Sequence, residues 1–315
     1  MPRPGYDHGV PRARQAPRTV GGLVLIALAA ISWGTSGSVM TVLAERASAS
    51  PLLVGVARLW VAAVFLLLAT SLAPRPFGIA SGDRWRCLAM GACMAGYQAA
   101  YFTAVTLAGI AVVALVAICS APLMIAALAP WLLGERLTPR VRAALLLGVI
   151  GTALLVASPS GALDPSARFL GGVLLALIAG LCYALYVLAA KATLRRSAPL
   201  PTTALTFTIG AVLLTPALLW TTAPWTQLTL GWPWLLYLGG VATAGAYAIY
   251  TMGLRRVPAS VAGVTTLLEP LTATLLGVAL FGERLGAAGA VGAVFLVVAL
   301  GLLLADRGQL QPGVG

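Results

Sequence analysis

Tyrosines at helical spacing are the residues in this chain best suited to hold a small polar molecule. Tyr97 and Tyr101 lie four apart with Gln98 beside the first, Tyr183 and Tyr186 lie three apart, and Tyr247 and Tyr250 repeat that interval. Pairs at i,i+3 and i,i+4 share a helix face, and a buried tyrosine hydroxyl needs a hydrogen-bond partner. Trp33, with Ser32, Ser36 and Ser38 around it, adds an indole ringed by hydroxyls. Each of these residues can be read as ordinary interhelical packing, and their number favours a shared cavity for the group. Such a cavity would bind without making or breaking bonds. The single histidine, His8, lies near the N-terminus, and there is no phosphate loop, metal-ligand cluster or buried acid pair. The reading is therefore not an enzyme, and it implies no cofactor. The four cysteines (Cys87, Cys93, Cys119, Cys182) form no Cys-x-x-Cys pair and read as small apolar residues.

The elements that must position these residues are membrane helices. The chain is 60% hydrophobic and 9% charged, with a mean hydropathy of +0.97, whereas a soluble domain carries roughly 25% charged residues. Apolar runs of spanning length, about 20 residues, fall at 20–43, 51–72, 85–107, 110–133, 139–157, 169–191, 202–220, 233–253, 258–281 and 287–304. The runs are continuous, unlike the alternating strands of a closed barrel. The connections, the longest at 72–84 and 221–232, leave no room for a domain outside the membrane. Residues 1–19 read as a disordered basic tail and 305–315 as a C-terminal tail.

Against these spans, only Arg58 and Glu269 are charged residues at depth, and such a residue is a functional hypothesis by default. Arg58 is near enough to a helix start to snorkel outward, which favours a structural role. Glu269 could meet a substrate ammonium, carry a proton, or satisfy backbone donors.

The net charge of +12 raises nucleic acid as a partner, and its placement argues against it. With the N-terminus in the cytoplasm, the inside connections hold Arg3, Arg12, Arg14, Arg18, Arg75, Arg84, Arg86, Arg136, Arg140, Arg142, Lys191, Arg195, Arg196, Arg255, Arg256 and Arg307, and the outside ones only Arg46, Arg168 and Arg284. That asymmetry is the positive-inside signature of a membrane protein with both termini cytoplasmic. The partners expected are membrane lipid and a small-molecule substrate, with no nucleic acid.

A fourteen-residue pattern occurs twice. Pro122 through Gly134-Glu135 continues into Arg136-Leu137, and Pro270 through Gly282-Glu283 continues into Arg284-Leu285, 148 residues later. Five spans per half is an odd number, so the halves enter the membrane from opposite sides. The fold class expected is an all-α membrane protein of ten transmembrane helices arranged as two inverted five-helix repeats, 20–157 and 169–304. Such repeats place a substrate near the midplane and alternate access around it. Pro122 and Pro270 each remove a helix hydrogen bond and read either as packing kinks or as a pair of hinges lining the path. Gly134 and Gly282 suit helix ends. Glu135 and Glu283 read as structural, each complementing the dipole of the helix that follows. Gly148-x-x-Gly151 and Gly289-x-x-Gly292 allow close helix approach, within one molecule rather than between two, and a monomer is expected.

Taken as a set, several motifs carry a resemblance. They are Ser32-Trp33-Gly34, Tyr183-Ala184, Ala246-Tyr247-x-x-Tyr250 before Arg255-Arg256-Val257-Pro258-Ala259, and Leu268-Glu269-Pro270 through Gly282-Glu283-Arg284-Leu285. The chain resembles the drug/metabolite transporter superfamily in its ten-helix EamA-like branch, over residues 20–305, and within it the YddG-like amino-acid exporters. The first repeat departs from the second by having Ala121 where the second has Glu269. The resemblance implies a multi-pass protein of the bacterial inner membrane that exports small metabolites, amino acids above all, from the cytoplasm. Few ionisable groups lie at depth, which favours facilitated movement over proton coupling. The alternative is efflux of cationic drugs by proton antiport. Trp33, Ser36, Tyr97, Gln98, Tyr101, Tyr183, Tyr186, Tyr247, Tyr250 and Glu269 are the candidate substrate contacts, around a path formed by the first, third, fourth, sixth, eighth and ninth spans.

Overall fold

Lipid offers the backbone no hydrogen-bond partner, so a chain this apolar must satisfy its peptide groups within its own elements. The computed structural model describes residues 16–73, 78–156, 166–282 and 286–306, and among these every regular element is helical. The tail expectations for residues 1–15 and 307–315, and those for Glu283, Arg284 and Leu285, lie outside the described residues. The first half contains α1 (Ala16–Gly34), α2 (Ser36–Ala47), α3 (Pro51–Ser71), α4 (Arg84–Ala108), α5 (Ile110–Leu133) and α6 (Pro139–Val156). The second contains α7 (Ala167–Thr193), α8 (Pro199–Leu214), α9 (Pro224–Leu236), α10 (Ala246–Leu254), α11 (Ala259–Thr265), α12 (Leu268–Phe281) and α13 (Ala287–Ala305). A 3₁₀ turn (Thr215–Trp220) follows α8, and a π-helical stretch (Tyr237–Gly245) joins α9 to α10.

By length and apolarity, eight helical segments among the described residues can cross a membrane. Neither α4 nor α6 is in that set, so the expected count of ten is not reached on those grounds alone. Polar side chains lower the hydropathy of α4, which carries Tyr97, Gln98, Tyr101 and Thr103. One rod of 31 residues, Pro224–Leu254, replaces the expected loop over 221–232 and the span after it. Pro224 sits at the first position of that rod, where its missing N–H costs nothing.

Helix packing repeats between the halves. The pairs α4–α7 and α1–α10 exchange roles, as do α5–α7 with α1–α12 and α4–α8 with α3 and the π-helical stretch. Two pairs, α3–α8 and α6–α13, map onto themselves. This is the pattern two related halves make when they face each other.

Glycines set the chain reversals and the close crossings. Gly109 parts α4 from α5 with φ +81° and ψ 154°, a region open in practice to glycine alone. Gly134 and Gly282 end α5 and α12 in the left-handed conformation, with φ +70° and +66°, in both copies of the repeated motif. At the α6–α13 crossing, a Cβ on Gly292 would lie 2.5 Å from the Gly151 carbonyl oxygen, and one on Gly151 2.8 Å from that of Gly292. These glycines are thus used within the chain. Gly292→Ala is expected to lower the melting temperature of the detergent-purified protein, since forced overpacking costs about 1–3 kcal/mol. Gly301→Ala, on the same helix with nothing within 4 Å of the added carbon, should leave it unchanged or raise it. Equal effects would show that the crossing adapts freely.

Candidate substrate cavity

A cavity of about 740 Å³ lies between the halves. It is lined by α1 and α2 (Trp33, Ser36), α3 (Arg58), α4 (Tyr97, Gln98, Tyr101), α5 (Ala121, Pro122), α7 (Tyr183), α10 (Tyr247) and α12 (Glu269, Pro270). It runs to Glu45, Ala49 and Pro51 at the α2–α3 turn, one end of the bundle. Eight of the ten candidate contacts, together with both prolines, line it. Tyr186 and Tyr250 do not. They are 1% and 0% exposed and stand behind the cavity wall. The expected ring of spans gains α3, whose Arg58 faces the cavity instead of snorkelling outward.

The floor of the cavity is a continuous aromatic stack. Trp33 sits 4.8 Å from Tyr247, 5.2 Å from Tyr250 and 6.5 Å from Tyr183, centroid to centroid. Tyr97 links Tyr183 to Tyr101, each at 5.8 Å. Tyr186 packs on Tyr183 and Tyr247 at 6.1 and 5.9 Å, and Phe207 on α8 braces Tyr247 at 4.7 Å. Edge and tilted ring contacts of this kind add about 0.5–1.5 kcal/mol each beyond burial. Trp33 Nε1 and Ser36 Oγ, on residues of the cavity wall, are buried with no hydrogen-bond partner among the described residues. Phe207 gave no sequence signal, because one more ring in an apolar run is indistinguishable from core.

The helices bend differently in the two repeats. The N-terminal rod breaks at Thr35, whose Oγ1 donates to Ser32 O at 2.7 Å and lies 2.8 Å from the Tyr237 hydroxyl. Gly34 lets α1 press onto α12, since a Cβ there would come within 2.7 Å of Glu269 O. The matched prolines do not behave alike. The helix α5 runs unbroken through Pro122, whereas α11 and α12 part at Thr266–Leu267, just before Glu269-Pro270.

Opposite the α2–α3 turn, the bundle is closed by polar links between elements. The Glu135 carboxylate accepts from Ala259 N at 2.6 Å, Ser260 N at 3.0 Å and Ser260 Oγ at 2.8 Å. It therefore caps the N-terminus of α11 in the other half and does not serve the helix that follows it, as the sequence suggested. Lys191, read from sequence only as an inside charge, donates Nζ to Leu254 O at 2.8 Å and Val257 O at 2.6 Å. Asp83, buried at the start of α4, accepts from Ser197 Oγ and Arg86 Nη1, both at 2.8 Å. The cavity is thus open at one end and latched at the other.

Two packed, exchange-symmetric halves around a central cavity are the architecture of many membrane transporters. The model of the EamA-like transporter family matches residues 20–157 and again 170–305, and the chain belongs to that family. It is 38% identical over 282 residues, 89% of this chain and 92% of the relative, to a Bacillus subtilis (strain 168) protein described as "Uncharacterized transporter YwfM". It is 31% identical over 189 residues, 58% of this chain and 62% of the relative, to the "Aromatic amino acid exporter YddG" of Ancylobacter novellus. A solved crystal structure shares the fold with a TM-score of 0.73 at 22% identity, over 93% of this chain and 99% of that one.

The latch can be tested directly. With the four native cysteines replaced, a cysteine at Ala262, buried in α11, should label slowly from the Glu135 side of the membrane. Glu135→Ala is expected to raise labelling about tenfold or more, because one charge-assisted hydrogen bond contributes about 1.5–3 kcal/mol and 1.4 kcal/mol is a factor of ten. Unchanged labelling would show that Glu135 does not hold this end shut.

Proposed function

We propose that this transporter exports small metabolites, amino acids above all, across the bacterial inner membrane by alternating access. The observation that carries the reading is the cavity itself. An aromatic floor suits an apolar side chain, while the Arg58 guanidinium and the Glu269 carboxylate suit a zwitterionic head group. The name of the Ancylobacter novellus relative supports the substrate class. The arginine-rich connections cluster at the latched end, with Arg84, Arg86, Arg140, Arg195 and Arg255 there, and Arg46 and Arg168 at the open one. On the positive-inside rule the latched end is cytoplasmic, both termini lie on that side, the chain crosses ten times, and the structure is the outward-facing state. Inward opening then requires release of Glu135 from α11 and of Lys191 from the end of α10. Pro122 and Pro270, both on the cavity wall, are the positions proposed to bend. The working unit is a monomer.

Facilitated movement is favoured over proton coupling, since Glu269 is the one carboxylate among the described cavity residues that lies away from the mouth. That same carboxylate is the observation behind a second reading, efflux of cationic drugs by proton antiport.

Reconstituted protein should move labelled neutral amino acids down their gradient with or without a pH gradient. Trp33→Ala and Tyr247→Ala should lower that flux roughly tenfold, about 1.4 kcal/mol of recognition, while the proteins remain folded. Transport of cationic drugs but of no amino acid, or strict dependence on a proton gradient abolished by Glu269→Gln, would favour the second reading.

A further inference from the structure

Arg58 is the one cation among the described cavity residues that could anchor the carboxylate of the proposed substrate, and the structure shows how it is held. Arg58 lies seven residues after Pro51, within α3, and lines the cavity. Its Nε donates to Thr243 Oγ1 at 3.1 Å. Thr243 is fully buried, and its hydroxyl donates in turn to Leu238 O at 2.7 Å across the π-helical stretch. Gly239 brings that stretch onto α3 at this level, because a Cβ there would meet Val61 Cβ at 2.4 Å and Arg58 O at 3.1 Å. π-helical turns recur at functional sites, and this one fixes the Nε side of the guanidinium.

The Nη side is left over. No carboxylate among the described residues lies within 4 Å of Arg58, and its Nη groups meet no protein acceptor among them. Lys191 shows what a cation bound for structure alone looks like here, with Nζ on the backbone carbonyls of Leu254 and Val257. A guanidinium in a membrane protein is costly unless it faces a partner or a wet cavity, and its two Nη groups match a carboxylate bidentately. Glu269 lines the same cavity and forms no ion pair among the described residues. The cavity wall therefore holds a guanidinium and a carboxylate, Arg58 and Glu269, that form no ion pair with each other.

We infer that Arg58 binds the substrate carboxylate, with Glu269 receiving the ammonium, and that Thr243 is the positioning residue that turns the guanidinium toward the cavity. This rests on the amino-acid reading above and adds to it a requirement for a free carboxylate. The test uses three probes on the purified full-length protein: L-phenylalanine, its amide, which lacks the carboxylate, and 3-phenylpropionate, which lacks the ammonium. Wild type should bind phenylalanine best and the amide worst. Arg58→Met should weaken phenylalanine and 3-phenylpropionate on the order of tenfold to a hundredfold, the range of a charge-assisted hydrogen bond, and leave the amide unchanged. Arg58→Lys should recover part of the loss. Thr243→Val, which keeps the side-chain shape, should reproduce the same selectivity change severalfold more weakly, and it decides the matter if Arg58→Met does not fold. A uniform loss for all three probes would assign Arg58 to packing and overturn the inference. So would a wild type that binds the amide as well as phenylalanine, and in both cases amino-acid transport itself would stand. Failure of the wild type to bind any amino acid would overturn both readings.

Discussion

The carboxylate of Glu135 joins the two halves at the end of the bundle opposite the cavity mouth. It ends the repeated motif of the first half and receives the first free N–H groups of α11 in the second, together with the Ser260 hydroxyl. A helix N-terminus presents unsatisfied donors and a partial positive charge. In a bundle surrounded by lipid these must be answered by protein or by cavity water. Answering them with a side chain from the opposite half makes closure of one end a hydrogen-bonding event instead of a hydrophobic one. Such a bond can exchange for water when that end opens, whereas a packed apolar seam would have to be pulled apart.

Above that latch, the aromatic floor keeps the cavity from continuing through the bundle. Its rings come from α1, α4, α7, α8 and α10, so the floor is assembled by both halves and any rocking of one against the other must shear it. Ring stacks tolerate sliding better than interlocked aliphatic side chains, since tilted and edge contacts span a broad range of separations. The observed centroid distances, from 4.7 to 6.5 Å, fill that range.

The exchange symmetry of the packing is broken where a ligand would sit. Ala121 and Glu269 stand at matched positions on the cavity wall, yet only one is charged. Pro122 leaves α5 continuous, while the break before Pro270 separates α11 from α12. The rod opposite α3 contains a π-helical stretch, whereas α4, its counterpart, is a continuous α-helix. Helix packing can be symmetric, but a cavity that holds an asymmetric molecule needs an asymmetric wall.

Much of this was legible in the residues. Continuous apolar runs located most of the helices, Gly134 and Gly282 marked helix ends, the duplicated motif announced two halves, and tyrosines at helical spacing flagged the lining. These signals are local, since hydropathy, turn geometry and helical period belong to a few consecutive residues. The sequence alone could not say that Tyr183 and Tyr247 face the cavity while Tyr186 and Tyr250 stand behind it, because spacing fixes which residues share a face but not where the face points. Nor could it show that Arg58 turns inward to Thr243, 185 residues away, or that Glu135 caps a helix 124 residues on. A charged group in a membrane protein is defined by what answers its charge, and that partner is chosen by the rotation and crossing of packed helices, which only the tertiary structure sets.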